Sequence, residues 1–443
     1  MNPYELSIAQ AAQEIRARRL ESQTLVQACL DRVKAVDGDI GAWAFLDPGH
    51  ALAEAKARDD YRAEGKELGR LHGVPIAVKD IFDTADMPTE MGSPIHKDRM
   101  PRRDAVAVAR LRAAGAVVLG KTVTAEFAYF HPGKTRNPHD PKRTPGGSSS
   151  GSAAAVAAKM APGAIGTQTN GSTIRPAAFC GVVGFKPTHG LIPRTGALIC
   201  SRTLDHVGVF ARTVEDAALL AEVMMGQDDG DPDTKPFAVP PLAKLAMEEP
   251  PVTPRLAFLK TAAWDQAEKQ THEAFAELVE SLGQAAEEIE LPSVADEIFA
   301  MHRTIMDVEM AVNLDNEYRH AKAQLSPKLQ ELLERGRKHA AYDYRRALDA
   351  IAKINEGVDD VFNEFDVILT PSAPGEAPLG IAATGNPAFS TIWTYLGLPA
   401  VTVPVLTGEA GLPMGAQLIA RRGYDARALR TAQWLAATLA KNA

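Results

Sequence analysis

Two serine-bearing glycine loops constrain this chain more than any other feature. GGSSSGS occupies 146–152 and TQTNGSTIRPA occupies 167–177, with the small-residue run AAAVAAKMAPGAIG between them. Glycine and serine at this density let backbone N–H groups approach a ligand closely and set hydroxyls beside them. An interdomain linker is also rich in Gly and Ser. The flanks argue against a spacer: the alanine run reads as a buried helix, and the apolar stretch Phe179 to Phe185 reads as a buried strand. Loops held between core elements are placed as functional sites are.

The rest of the composition is that of an ordinary globular protein. The chain has 443 residues, 45% hydrophobic and 23% charged, enough for a large core and, by length alone, for two or three domains. A formal net charge of −8 leaves no basic footprint for nucleic acid or for an anionic membrane. The first residues, MNPYELSIAQAAQEIRARR, mix acids and bases without the apolar core of a signal peptide, and Lys159 interrupts the longest small-residue run, so no membrane span is expected. Cys29, Cys180 and Cys200 are odd in number and unclustered. They suggest reduced thiols in a cytoplasmic protein and lack metal-ligand spacing, with Cys180 read as core packing.

In chain order, residues 4–36 read as two amphipathic helices with Ser7 and Ser22 as N-caps, and a further helix covers His50 to about Glu64. In LHGVPIAVKDIFD a β-branched run ends on Lys79. Either the strand ends in water or it presents the lysine into a cavity, where burial lowers the ammonium pKa toward that of a general base. Residues 104–127 read as helix then strand, with Gly115 as the stop signal. Two motif matches are rejected. Gly115 to Thr122 satisfies the phosphate-loop pattern literally, but its middle four residues are apolar and strand-like. Gly147 to Gly151 satisfies G-x-S-x-G around Ser149, but the preceding HPGKTRNPHDPKRTPGG is a loop where a nucleophile elbow needs a strand. The stretch 230–365 opens with a proline- and acid-rich connection and continues as helices over roughly 264–285, 293–324 and 326–358. Met301, Met306 and Met310 fall at helical spacing there; core packing and a substrate-pocket wall both remain open for them, as for Tyr318, Tyr342 and Tyr344.

Lys79 in GVPIAVKD, the segment PGGSSSGSAAAVAA and the segment GTQTNGSTIRPAAFCGVVGFKPTHG closely resemble the amidase signature family. GKTVTAEFA, LDHVGVFARTVEDAALL and STIWTYLGLPAVTVPV with GLPMGAQLIA extend the resemblance in family order to most of the chain outside 230–365. It implies one α/β domain over 1–443, a central mixed β-sheet flanked by helices. Within it lie N-terminal helices (1–65), the signature core (66–225), the variable, mostly helical 230–365 and a C-terminal part of the core (366–443). It also implies hydrolysis of a small carboxamide through an acyl-enzyme, with Ser172 as nucleophile, Ser148 as bridging serine and Lys79 as base. The Gly147–Ser148 bond is expected to be cis, and the backbone N–H groups of Thr169, Asn170, Gly171 and Ser172 to form an oxyanion hole. Arg175, Gly147 and Met91 are the expected substrate contacts. No metal or cofactor is implied, and the N-terminal helices are a candidate homodimer interface.

The chain departs from the commonest family pattern at Gln168, Asn170 and the GGSSSGS loop, and its Arg175 stands three residues after the nucleophile, an arrangement similar to the malonamidase-like branch. Arg175 is either a structural ion-pair partner or a planar fork for a substrate carboxylate. Two other functions stay open: the glutaminase subunit of a tRNA-dependent amidotransferase, and a non-catalytic binding protein on the same fold. Intact Lys79, Ser148 and Ser172 count against the latter. The identity of the amide is not disclosed by these residues.

Overall fold

Apolar β-branched runs separated by amphipathic stretches assemble into one sheet in a computed structural model that describes residues 2–290 and 295–442. The strands are β1 (Trp43–Phe45), β2 (Pro75–Lys79), β3 (Val117–Thr122), β4 (Gly163–Gln168), β5 (Val183–Lys186), β6 (His206–Ala211), β7 (Leu256–Leu259), β8 (Ala286–Ile289), β9 (Val367–Pro371), β10 (Ala400–Thr407) and β11 (Pro413–Ile419). They form one 11-stranded sheet in the order β1-β3-β2-β4-β6-β5-β10-β11-β9-β7-β8. β3, β2 and β4 run parallel, as do β9, β7 and β8, while the strands between are antiparallel, so the sheet is mixed. Every residue of β2, β3, β4 and β6 is buried, as expected of strands covered by helices on both faces. Among the described residues, no helix is long and apolar enough to cross a membrane.

Three consequences of this topology position the site. The parallel β2 and β4 end on the same edge of the sheet, with Val78 beside Ile165, so Lys79 closes β2 where Thr167 and Gln168 close β4. The antiparallel β6 begins at that edge, with His206 opposite Gln168. Ligands of open α/β sheets bind outside the carboxyl ends of such strands. The alanine run forms the helix Ser150–Ala157, buried at every residue but Ala157 and built of small side chains on all sides, as a core helix needs. Its Gly151 lies against the chain leaving β3, where a Cβ would sit 2.3 Å from the Ala42 carbonyl and 2.4 Å from the Val123 nitrogen.

Several local expectations are corrected. Ser7 caps Ile8–Arg16, accepting from the Gln10 N–H, but Ser22 is the first residue of Ser22–Ile40 and Glu21 is its N-cap. The Ser22 hydroxyl instead donates to the Gly73 carbonyl at 2.8 Å and its N–H to Asp59, tertiary contacts with no local signal. Phe179 lies in the last turn of the helix Ile174–Cys180, and the strand starts only at Val183, after Gly181 turns the chain at φ +67°. The region 230–365 is less purely helical than expected. β7 is only four residues long, and β8, AEEI, is a polar edge strand without an alternating pattern. The helices of seven or more residues are Lys269–Leu282, Ala295–Asn313, Asp315–Ala321, Pro327–Gly336 and Ala341–Asp359; positions 293–294 of the expected middle helix lie outside the described residues. The long helix expected over 326–358 divides at Gly336, which packs directly on the Asp307 carbonyl of a crossing helix. The phosphate-loop match is indeed the buried strand β3.

Candidate active site

Lys79 is wholly buried at the carboxyl end of β2. Its Nζ lies 2.7 Å from Ser148 Oγ and 3.0 Å from Thr167 Oγ1. Among the described residues no carboxylate is paired with it, and burial brings its pKa from 10.5 down to about 7, opposed by the more distant Asp205. The first of the two alternatives, a lysine reaching water from a strand end, is therefore excluded. The Gly147–Ser148 peptide bond is cis. Gly146 has φ +81°, and a Cβ there would lie 2.7 Å from Pro176 Cα, so the two serine loops touch where only glycine fits. Ser149 is held in the core, its Oγ donating to the Thr167 carbonyl at 3.3 Å.

Ser148, Ser172, Thr169, Asn170 and Arg175 line one small, partly open cavity, together with Ala128, Tyr129, Phe130, Cys200, Met306, Met310 and Thr384. Met306 and Met310 are thus cavity wall; Met301 packs beneath, its sulfur against the Tyr395 hydroxyl, and the Tyr344 hydroxyl donates to Glu309. Met91 is buried in the core and is not among the residues that line the cavity. Gly147 contributes its carbonyl, which accepts from Arg175 Nη2 at 2.6 Å. Burial keeps the Cys200 thiol protonated, its pKa pushed well above the ordinary value.

Arg175 is buried, with Nε donating to the Thr384 carbonyl at 2.7 Å and Nη2 to Thr384 Oγ1 at 3.3 Å. Its Nη1 is buried without a partner, and no carboxylate among the described residues pairs with the guanidinium. Burial alone lowers its pKa to about 9. Nη1 sits beside the serine loop: a Cβ on Gly171 would be 3.1 Å from it and 2.9 Å from Pro387 Cβ. The backbone N–H groups of Thr169, Asn170, Gly171 and Ser172 have no acceptor among the described residues. Of the potential metal ligands, the trio His50, Glu54 and Asp86 is crossed by Arg112, which donates to Glu54 at 2.8 Å and to Asp86 at 2.6 Å.

This geometry is accompanied by likeness along the whole chain. The sequence model of the Amidase family matches residues 24–429. The chain belongs to the amidase signature family. One of the subunits of the glutamyl-tRNA(Gln) amidotransferase of Alkaliphilus metalliredigens is 32% identical over 489 aligned positions, covering 98% of this chain and 96% of that one. Among solved structures, a chain of a vestigial protein complex bearing on the origins of an s-triazine catabolic enzyme superposes with a TM-score of 0.91 at 30% identity, covering 99% of this chain and 98% of that one. The peptide amidase of Stenotrophomonas maltophilia gives 0.87 at 31%, covering 100% and 98%.

This amidase also gathers residues that reading the sequence missed. Thr167, the second neighbour of the lysine, was visible only as a member of the glycine loop. Asp205, just before β6, accepts from Thr169 Oγ1 at 2.6 Å and from the N–H groups of Cys200 and Ser201 at 2.7 and 3.0 Å. Burial raises its pKa to about 6. Gln168 accepts through Oε1 from the N–H groups of Thr173 and Ile174 and donates through Nε2 to Thr394 Oγ1 at 2.9 Å, so this departure from the family pattern ties the nucleophile loop to the C-terminal part of the core.

Proposed function

We propose that this amidase hydrolyses the C–N bond of a short amide bearing a carboxylate, through an acyl-enzyme on Ser172. A serine hydroxyl is a weak nucleophile until a neighbour takes its proton. Lys79, neutral above about pH 7, takes a proton from Ser148 as Ser148 takes one from Ser172, and Ser172 Oγ forms a bond to the acyl carbon. The free N–H groups of the 170–172 loop face the developing oxyanion. The proton returns through Ser148 to the departing ammonia or amine as the C–N bond breaks. Water then adds to the acyl-enzyme by the same relay and the carboxylic acid leaves.

The observation that carries the catalytic reading is the buried, carboxylate-free lysine at 2.7 Å from the bridging serine. The substrate reading rests on Arg175, a buried cation that lines the cavity and has one Nη1 without a partner. Burying a cation without a counter-charge is costly, and a carboxylate in the cavity would supply the missing charge. Because Nη1 lies beside Gly171, that carboxylate would sit within one or two atoms of the acyl carbon, as in malonamate or a carboxylated urea. This agrees with the malonamidase-like placement of Arg175.

Ammonia release from malonamate, a urea-derived carboxylate, acetamide, benzamide and glutamine tests both parts. Malonamate or the carboxylated urea is expected to be preferred, with Ser172→Ala and Lys79→Ala inactive. Arg175→Met should raise KM for the carboxylated amide by roughly 10- to 100-fold, the worth of a charge-assisted pair, and leave neutral amides within a few-fold. Equal effects on both would exclude the carboxylate role. A second reading, a glutaminase subunit working with partner chains, is favoured by the amidotransferase relatives; glutamine turnover appearing only with an acceptor-bearing tRNA and partner subunits would select it.

A further inference from the structure

The N–H groups of Asn170, Gly171 and Ser172 each belong to a peptide unit whose carbonyl is held by a donor. The Thr169 carbonyl accepts from His302 Nε2 at 2.9 Å, the Asn170 carbonyl from Thr394 Oγ1 at 2.5 Å, and the Gly171 carbonyl from the Arg175 N–H at 3.0 Å. In a planar trans peptide the C=O and the following N–H point in opposite directions. Three carbonyls pinned to donors therefore set the direction of three N–H groups. The Arg175 contact is an ordinary first-turn helix bond, and Thr394 is itself held by Gln168. His302 stands apart. It is 133 residues from Thr169, on the Ala295–Asn313 helix of the variable region, and only 1% exposed. A carbonyl only accepts, so Nε2 carries the hydrogen. Burial lowers the imidazole pKa to about 4, so at neutral pH the ring is an uncharged, fixed donor. Thr169 is clamped twice, since its hydroxyl also donates to Asp205.

We propose that His302 is a positioning residue for the oxyanion loop: its Nε2–H fixes the Thr169–Asn170 peptide plane so that the Asn170 N–H faces the developing oxyanion. The inference rests on the acyl-enzyme reading above. It makes the variable helix part of the catalytic apparatus, because the same helix places Met306 and Met310 in the cavity wall.

The test compares kcat and KM of wild type, His302→Phe, His302→Leu and His302→Gln on the preferred amide of the panel. Phe and Leu fill the volume without a donor, and one of the two that folds suffices; the Gln amide restores an N–H near the place of Nε2. Expected is a fall in kcat of roughly 10- to 100-fold in the donorless variant, less than deletion of an oxyanion donor, with KM within about threefold, and recovery of at least about tenfold in His302→Gln. A donorless variant that keeps wild-type kcat, one whose loss lies in KM, or a Gln variant as impaired as the Phe and Leu variants would overturn the proposal. Ser172→Ala run alongside separates the two levels. Ammonia release surviving there overturns the acyl-enzyme reading and the role of His302 with it. Release abolished there while His302→Phe stays at wild-type kcat overturns His302 alone.

Discussion

Replacing Lys79 by methionine should abolish activity and make the protein more stable, with a difference that depends on pH. The side chain is wholly buried and its pKa falls from 10.5 to about 7, a displacement worth roughly 5 kcal/mol. That is the cost of keeping this amine in the core while the unfolded chain holds it protonated in water. Methionine fills a similar volume without a charge. It forfeits the contacts with Ser148 and Thr167, about 1 kcal/mol each, leaving a net gain of about 3 kcal/mol at pH 6. With an unfolding entropy near 2.1 cal/mol/K per residue over 443 residues, about 3 kcal/mol corresponds to a rise of roughly 3 °C in Tm. Below about pH 7 the wild-type lysine is protonated in both states and carries the full penalty. Between about 7 and 10.5 the unfolded state binds one more proton than the folded state, so wild-type stability climbs with pH and the advantage of Lys79→Met shrinks by about 1.4 kcal/mol per pH step. Differential scanning calorimetry of both proteins from pH 6 to 9 reads this directly. A Tm difference that is flat across the range, or a less stable Lys79→Met at pH 6, would refute the claim that burial holds this lysine neutral. The same property places an ascending limb in the pH profile of kcat/KM near 7.

Two further substitutions probe the surroundings. Asp205→Asn keeps an acceptor for Thr169 Oγ1 but removes the negative charge that opposes the fall in the Lys79 pKa, so the ascending limb of kcat/KM should move to lower pH; a limb that stays put or moves upward would contradict this electrostatic link. Ser149→Ala loses hydrogen bonds to the backbone of Thr167 and should cost about 1–2 kcal/mol of stability in thermal or urea unfolding while leaving kcat within a few-fold of wild type, because that hydroxyl faces the core; loss of ammonia release with the fold intact would return Ser149 to candidacy as nucleophile.

The buried alanine helix, the lysine at the end of β2 and the two serine loops were readable from the chain, because each rests on a local requirement that residue type records; the mixed sheet was expected only through the family resemblance. Gly146 stands where a positive φ and the approach of Pro176 leave no room for a Cβ, and the alanines of 153–155 stand where a helix must be thin enough to be buried all round. Rejection of the two decoy motifs followed from the same kind of information, the apolar run of β3 and the proline-rich loop before Gly147. Short elements escaped: β8 is polar and lies at the sheet edge, and Ser22 reads as a cap although its hydroxyl is taken by Gly73.

What the tertiary structure decided is which distant groups meet at the sheet edge where β2 and β4 end and β6 begins. Arg175 was visible as a cation near a nucleophile, but only packing put it against Thr384 and Gly147, without a carboxylate and with Nη1 left over. Thr167, Asp205, Thr394 and His302 belong to common residue types with no spacing signal, and their partners lie up to 226 residues away. Side-chain polarity at one position says that a hydrogen bond must be made if the residue is buried; it does not say with what. The partner is chosen by strand order and helix crossing, which set the few ångströms over which a hydrogen bond exists.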